Sequence, residues 1–247
     1  MLLTLDIGNS NIKSAFFKGT DPVEFKVHPE IDKLINYLNE KNFSNAAICS
    51  VNPAKEKIII DVLSKKNVSI YKPTINDELN LRINYKTRDT LGIDRVCSAV
   101  GAYESAIKKK LLKNHYLVTI DFGTATTINV VSPEKYFIGG LIAPGIQTML
   151  KSLNENTAGL PLPDWDSYES LIGDSTNSSI LSGVYNATIG MINETISHLK
   201  EINNGNQPVI FATGGNAKIT MPFLKHKIFY DEALVLKGLK IIYELNK

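Results

Sequence analysis

Three aspartates stand where a carboxylate could do chemistry: Asp6, Asp94 and Asp121. Asp6 ends an apolar run (Leu2, Leu3, Leu5) and is followed by Ile7, Gly8, Asn9, Ser10 and Asn11 before Ile12, Ala15, Phe16 and Phe17 resume an apolar run. Gly and Asn tolerate the left-handed backbone that a short hairpin turn requires. The product is a carboxylate at a strand end beside a loop with backbone N–H groups to offer. Such a loop can cradle phosphate, and the carboxylate can hold a divalent cation. Many hairpins carry these residues with no ligand, so one copy decides little. A second copy lies 115 positions on: Asp121-Phe122-Gly123-Thr124-Ala125-Thr126-Thr127, again between two apolar runs. In a chain of 247 residues that spacing is close to half the length and points to a duplicated domain. A cleft between the halves would bring two carboxylates and two hydroxyl-rich loops to one polyphosphate.

Asp94 is placed differently. Ile93, Val96, Cys97, Val100, Ile107 and Leu111 fall on one helical stripe, which predicts a helix that follows Leu91-Gly92 and ends in lysines near Lys113. Asp94 then sits in its first turn, where an acid is favourable against the helix dipole with no further role. Gly92 before it and Arg95 after it would let an acid and a base reach one ligand. Gly214-Gly215 closes an apolar run over 208–213. That junction suits either close approach to a planar ligand or an ordinary strand-to-helix turn. His28, His115, His198 and His226 have no recognisable ligand or base spacing.

The elements that must carry these residues follow from periodicity. A third strand is predicted over 23–27, then a helix opened by Pro29 with Ile31, Leu34, Ile35 and Leu38 on one face. A buried strand over 46–51 leads to Asn52-Pro53, which starts a helix carrying Ile58, Ile59, Val62 and Leu63. A short strand over 68–71 completes a β-α-β-α-β run, which implies parallel pairing through crossover helices. Residues 80–88 read as polar and irregular. The second half predicts strands on either side of the Asp121 turn, a strand over 136–142 with Gly139-Gly140, and a helix begun by Pro144-Gly145. A loop over 154–165, long enough to be functional, and a long helix over 176–200 come next. The strand over 208–213, a short helix, a strand over 227–230 and a terminal helix finish the chain. Two α/β domains, 1–115 and 116–247, are expected.

Composition narrows the function classes. The hydrophobic fraction of 43% and charged fraction of 21% are those of an ordinary soluble protein. A net charge of +2 gives no basis for a nucleic-acid or anionic-membrane partner. Lys108-Lys109-Lys110 reads as the solvated end of a helix. Cys49 and Cys97 are far apart among apolar neighbours and read as reduced, buried thiols with no zinc site. No run approaches a membrane span. The N-terminus lacks a basic segment and Asp6 interrupts its apolar run, so no signal peptide is read. A cytoplasmic location is expected.

The chain resembles the type III pantothenate kinases, within the acetate and sugar kinase/Hsp70/actin superfamily. The resemblance rests on Asp6-Ile7-Gly8-Asn9-Ser10-Asn11, Gly92-Ile93-Asp94-Arg95, Asp121-Phe122-Gly123-Thr124-Ala125-Thr126-Thr127, Gly139-Gly140-Leu141-Ile142-Ala143-Pro144-Gly145, Thr157-Ala158-Gly159-Leu160-Pro161 and Thr213-Gly214-Gly215. These occur in the family's order over nearly the whole chain. Ser10 stands where the family usually has Thr, and the hydroxyl is kept. The implied fold is α/β, with two duplicated ribonuclease H-like (actin-like ATPase) domains and an interdomain cleft. The implied reaction is phosphorylation of pantothenate by ATP, the first step of coenzyme A synthesis.

The resemblance also implies roles. The loop Asp6, Ile7, Gly8, Asn9, Ser10, Asn11 and Lys13 would hold the ATP phosphates, with Asp6 near magnesium. Asp94 would accept the proton of the pantothenate hydroxyl. Gly92, Ile93 and Arg95 would line the pantothenate site, with Arg95 facing its carboxylate, and Tyr85 and Thr176 would contact the same substrate. Asp121 would hold a monovalent cation, potassium or ammonium. Thr124 would contact ATP, and Gly214 and Gly215 would lie against the adenosine. A homodimer is implied.

Other readings share the first hairpin. Ribonuclease H-like nucleases also open on a strand carboxylate and use two metal ions, but a nuclease would want a basic groove, which the near-neutral charge does not favour. A non-catalytic nucleotide-binding regulator, and a sugar or acetate kinase differing only in its acceptor, remain open on the residues alone.

Overall fold

Leu3, Leu5 and Ile7 alternate with Leu2, Thr4 and Asp6 in β1 (Leu2–Ile7), and all but Asp6 are buried. A strand buried on both faces belongs at the centre of a sheet. The computed structural model, which describes all of Met1–Lys247, puts it there. β1 pairs antiparallel with β2 (Ile12–Phe17), which pairs antiparallel with β3 (Pro22–His28). On its other edge β1 runs parallel to β4 (Asn45–Ser50), and β4 parallel to β5 (Ser69–Tyr71). The crossovers are α1 (Ile31–Asn39) and α2 (Pro53–Lys65), and the strand order is β3-β2-β1-β4-β5. Asn52 caps α2, its side chain accepting from the Lys55 N–H at 3.0 Å, with Pro53 in the first position, where the missing N–H is no loss. Leu34 and Leu38 of α1 and Ile59 and Leu63 of α2 close the core over Leu3, Leu5 and Ile48.

The same topology recurs. β7 (Leu117–Phe122) has the burial sequence of β1, with Asp121 the one residue not buried, just as Asp6 is in β1. It pairs antiparallel with β8 (Ala125–Val131) and parallel with β10 (Val209–Thr213), which runs parallel to β11 (Ile228–Tyr230). With β9 (Tyr136–Pro144) the order is β9-β8-β7-β10-β11, strand for strand that of the first sheet. α4 (Ile146–Asn156), α5 (Thr176–Ile202) and the short α6 (Ala217–Thr220) supply the crossovers. Ile192 and Ile196 of α5 bury against Val118, Ile120 and Ile210. The duplication expected from the two aspartate hairpins is therefore present as topology.

Several local expectations change. Residues 80–88 are not wholly irregular: β6 (Arg82–Ile83) pairs in parallel with the first residues of β9, Arg82 opposite Tyr136, and a 3-10 turn follows at Arg88–Thr90. A two-residue strand has too little periodicity to be read. α3 (Ile93–Lys108) ends before Lys113, because Lys110 turns left-handed (φ 55°) and the Leu111 N–H returns to the Ala106 carbonyl. Ile107 is exposed and Leu111 lies outside the helix. Nor does α3 bury one stripe. Val96, Cys97, Ser98, Ala99, Val100, Gly101 and Ala102 are all buried, since α7 (Leu234–Leu245) lies against it.

That packing also sets the compact units. One comprises Met1–Leu111, Glu134–Gly139 and Ala233–Lys247; the other comprises Leu112–Pro133 and Gly140–Glu232. The terminal helix thus joins the first half of the chain, and the division differs from a single cut at 115/116. No helix is long and apolar enough to cross a membrane.

His28, at the end of β3, is buried with Nε2 2.8 Å from the Ser14 hydroxyl and its ring 5.2 Å from Tyr37. Burial, helped by the Lys26 charge, lowers its pKa, and burial does the same for His226. Both histidines are then neutral in the fold, and the unfolded chain takes up protons first as pH falls. Their contribution is complete above about pH 6.5, the unfolded value, and is lost as pH falls through the lowered folded values. The urea midpoint is expected to drop between pH 7.5 and pH 5, and His28→Gln to flatten part of that drop.

Candidate active site

In the first unit, Asp6 is the penultimate residue of β1, opposite Lys13 on β2 and Cys49 on β4. Its carboxylate is bracketed by both: Lys13 Nζ is 4.0 Å from Oδ2, and the Cys49 thiol donates to Oδ1 at 3.5 Å. Cys49 is fully buried. Its hydrogen bond with Cys97, its burial and the negative charges of Asp6 and Asp94 push its pKa well up, so it stays a neutral donor. The turn after β1 closes by the Gly8 N–H donating to the Asn11 carbonyl at 3.1 Å, and a Cβ on Gly8 would sit 2.9 Å from that oxygen. Asn9, Ser10 and Asn11 are exposed.

Gly92 caps α3, and Asp94 is its second residue. The Asp94 carboxylate folds back so far that a Cβ on Gly92 would stand 2.5 Å from Oδ1. The glycine is thus a requirement of the Asp94 conformation. Arg95 is buried, its guanidinium 5.9 Å from the Tyr85 ring centre and 5.7 Å from that of Phe137, distances at which a cation gains from an aromatic face. Tyr85 also lies over Gly139, whose φ of +125° favours glycine. Asp6 with its turn, Asp94, Gly92, Ile93, Arg95 and Tyr85 therefore all belong to one unit.

The second unit repeats the arrangement with different residues. Asp121 is penultimate in β7, opposite Thr127 on β8 and Thr213 on β10. Gly214 has φ +98°, and a Cβ there would overlap Asp121 Oδ1 and stand 2.6 Å from the Phe122 backbone. Its close approach is thus to the Asp121 turn, whereas Gly215 is exposed with no atom near a would-be Cβ. The exposed Thr124 is held by its carbonyl, which accepts from the Gly145 N–H at 2.8 Å and the Thr148 hydroxyl at 2.7 Å. Thr176 opens α5 behind the Ser175 cap and lines a pocket with Leu160, Gly173, Asp174, Ser179 and Ile180. The loop after α4 is tied down, the Tyr185 hydroxyl donating to the Trp165 carbonyl at 2.7 Å and Tyr168 stacking on Tyr185 at 4.5 Å.

The sequence reading missed Cys49, Asn52, Lys55, Phe137 and Thr148. Lys55 carried one signal, a cation in the first turn of a helix, where the dipole opposes it. Cys49 carried none, because its contact with Asp6 depends on the parallel register of β1 and β4.

The chain has no group of three or more His, Cys, Asp or Glu that could hold a metal alone. Magnesium does not need one. It commonly keeps its waters and binds one or two carboxylates together with substrate phosphates, and Asp6 beside an exposed glycine turn fits that donor set. Asp121 stands at the matching position of the second sheet.

Comparison with known proteins adds an independent line. The sequence model of the type III pantothenate kinase family matches residues 2–198. A type III pantothenate kinase from Flavobacterium johnsoniae is 33% identical over 248 residues, covering 99% of this chain and 98% of that protein. One from Sulfurihydrogenibium is 32% identical, covering the whole of both. Among solved structures, a protein assigned to the Baf family of transcriptional activators from Campylobacter jejuni superposes with a TM-score of 0.65 at 21% identity, covering 98% of this chain and 97% of that one. The activator of a 2-hydroxyisocaproyl-CoA dehydratase from Clostridium difficile, solved with bound ADPNP, gives 0.50 at 12% identity, covering 99% and 95%. At those identities the structures show the fold alone.

Proposed function

This chain belongs to the type III pantothenate kinase family, and on that premise we propose that it transfers the γ-phosphoryl group of ATP to the hydroxyl of pantothenate, giving 4′-phosphopantothenate and ADP in the first step of coenzyme A synthesis. The observation that carries the proposal is a carboxylate–glycine turn at Asp6 in the same unit as a second carboxylate, Asp94, at the start of α3, whose back-folded conformation Gly92 leaves room for.

Phosphoryl transfer asks little covalent chemistry of a protein. It needs an aligned hydroxyl, neutralised phosphate oxygens and exclusion of water. In this reading the amides of residues 8–11 and Lys13 receive the phosphates, and Asp6 is the protein ligand of magnesium, which supplies neutralisation of phosphate charge when bound. Asp94 accepts a hydrogen bond from the attacking hydroxyl and takes its proton as the new P–O bond forms and the bond to ADP breaks. Arg95, braced by Tyr85 and Phe137, faces the pantothenate carboxylate, with Gly92 and Ile93 beside it and Thr176 a further contact. Thr124, Gly214 and Gly215 belong to the nucleotide site, and Asp121 holds potassium or ammonium. A cytoplasmic homodimer of the 27.3 kDa chain is part of the same reading; light scattering at twice that mass is the expected result.

The test is ADP release with ATP, magnesium and pantothenate, run in potassium and again in sodium alone. Release that requires both pantothenate and potassium is expected. Release indifferent to the salt would remove the cation role of Asp121 and keep the kinase. Nucleotide binding with no pantothenate-dependent release would sink the reaction and leave a nucleotide-binding regulator.

A further inference from the structure

Lys55 meets the phosphate-binding turn from behind. Its Nζ donates to the Asn9 carbonyl at 2.6 Å and to the Gly8 carbonyl at 3.4 Å. Asn52, one helical turn earlier, donates from Nδ2 to Asn9 Oδ1 at 3.3 Å while its own Oδ1 caps α2 by accepting the Lys55 N–H. The start of α2 therefore straps two successive peptides of the turn. Every peptide bond in the chain is trans, and in a trans peptide the carbonyl of one residue and the N–H of the next point in opposite directions. With the Gly8 and Asn9 carbonyls drawn to Lys55, the Asn9 and Ser10 N–H groups face the other way. α2 itself gains nothing from the cation, since a positive charge in the first turn opposes the helix dipole.

We propose that Lys55 is a positioning residue for ATP: it does not touch the nucleotide, but by holding the Gly8 and Asn9 carbonyls it aims the Asn9 and Ser10 amides at the phosphates. The proposal rests on the reading of residues 8–11 as the phosphate site. Preset donors bind an anion more tightly than donors that must be turned first.

Two variants test it in the full-length protein. Lys55→Met keeps the side-chain stem and removes the donor. Lys55→Arg restores a donor. For Lys55→Met the KM for ATP is expected to rise about tenfold, as for loss of a charge-assisted hydrogen bond, with the KM for pantothenate and the melting midpoint unchanged, and Lys55→Arg should recover much of the loss. In nucleotide-free protein, the Asn9 and Ser10 amide resonances of Lys55→Met should move and exchange faster. An unchanged KM for ATP overturns the proposal. So does a raised KM with both nucleotide-free amides unmoved, which would make Lys55 a direct phosphate contact. If the wild-type protein binds ATP but shows no pantothenate-dependent ADP release, the reaction fails while the amide measurement and ATP titration still judge Lys55.

Discussion

Asp94→Asn is expected to lower kcat by about 10²- to 10⁴-fold, the usual range for a positioned general base, and to leave ATP affinity unchanged. The substitution is nearly isosteric, so the back-folded conformation over Gly92 and the packing of α3 survive it. What is lost is the acceptor for the hydroxyl proton. An asparagine oxygen still orients that hydroxyl but cannot take its proton. The loss should therefore appear in kcat, and in kcat/KM for pantothenate to the same degree, with nucleotide titrations matching wild type. Steady-state kinetics in both substrates, with ATP binding by calorimetry, check this. Equal turnover in the variant would remove Asp94 from the chemistry. A matched loss of ATP binding would recast it as part of the nucleotide site.

Gly238→Ala is expected to lower the melting midpoint by about 5–10 °C. α7 crosses α3 where Gly101 faces Gly238, and a Cβ on Gly238 would overlap the Cys97 carbonyl and stand 2.9 Å from the Gly101 nitrogen. Backbone cannot step aside as a flexible side chain can. Overpacking of this kind costs about 1–3 kcal/mol or somewhat more, and in a chain of this size each kcal/mol moves the midpoint by about 2–4 °C. Since α3 carries Asp94 and Arg95 at its start, turnover should fall as well. Gly190→Ala on α5 is the control, because nothing lies near its would-be Cβ. There the helical preference for Ala should raise stability by about 0.5–1 kcal/mol. Paired calorimetric scans decide the matter, and a similar rise in both variants would mean that the helices are not in close contact.

The two aspartate turns were legible because a hairpin advertises itself locally. Asp6 and Asp121 each interrupt a continuous run of buried residues one position before a strand ends, and each is followed by turn residues within four positions. Asp94 was legible in the first turn of α3 for a similar reason, since helical spacing is read within a dozen residues. The end of α3 was not, because Leu111 extends the apolar spacing while the left-handed Lys110 stops the helix. The role of Gly214 was half legible: a glycine was marked for close approach, but the partner it approaches is Asp121, far off in sequence.

By itself, then, the sequence determined the order of strands and helices apart from the two-residue β6, the doubling of the carboxylate turn and the place of Asp94 at a helix start, all consequences of period and turn chemistry acting over short stretches. Only the tertiary structure decided which segments share a unit and what holds each carboxylate. The terminal helix joins the first unit because Gly101 and Gly238 let two backbones touch. Cys49 reaches Asp6 because β1 and β4 align in parallel register, and Lys55 straps the turn because α2 starts where β4 ends. Such contacts join residues tens of positions apart or more, and apart from the cation in the first turn of α2 no local pattern carries a trace of them.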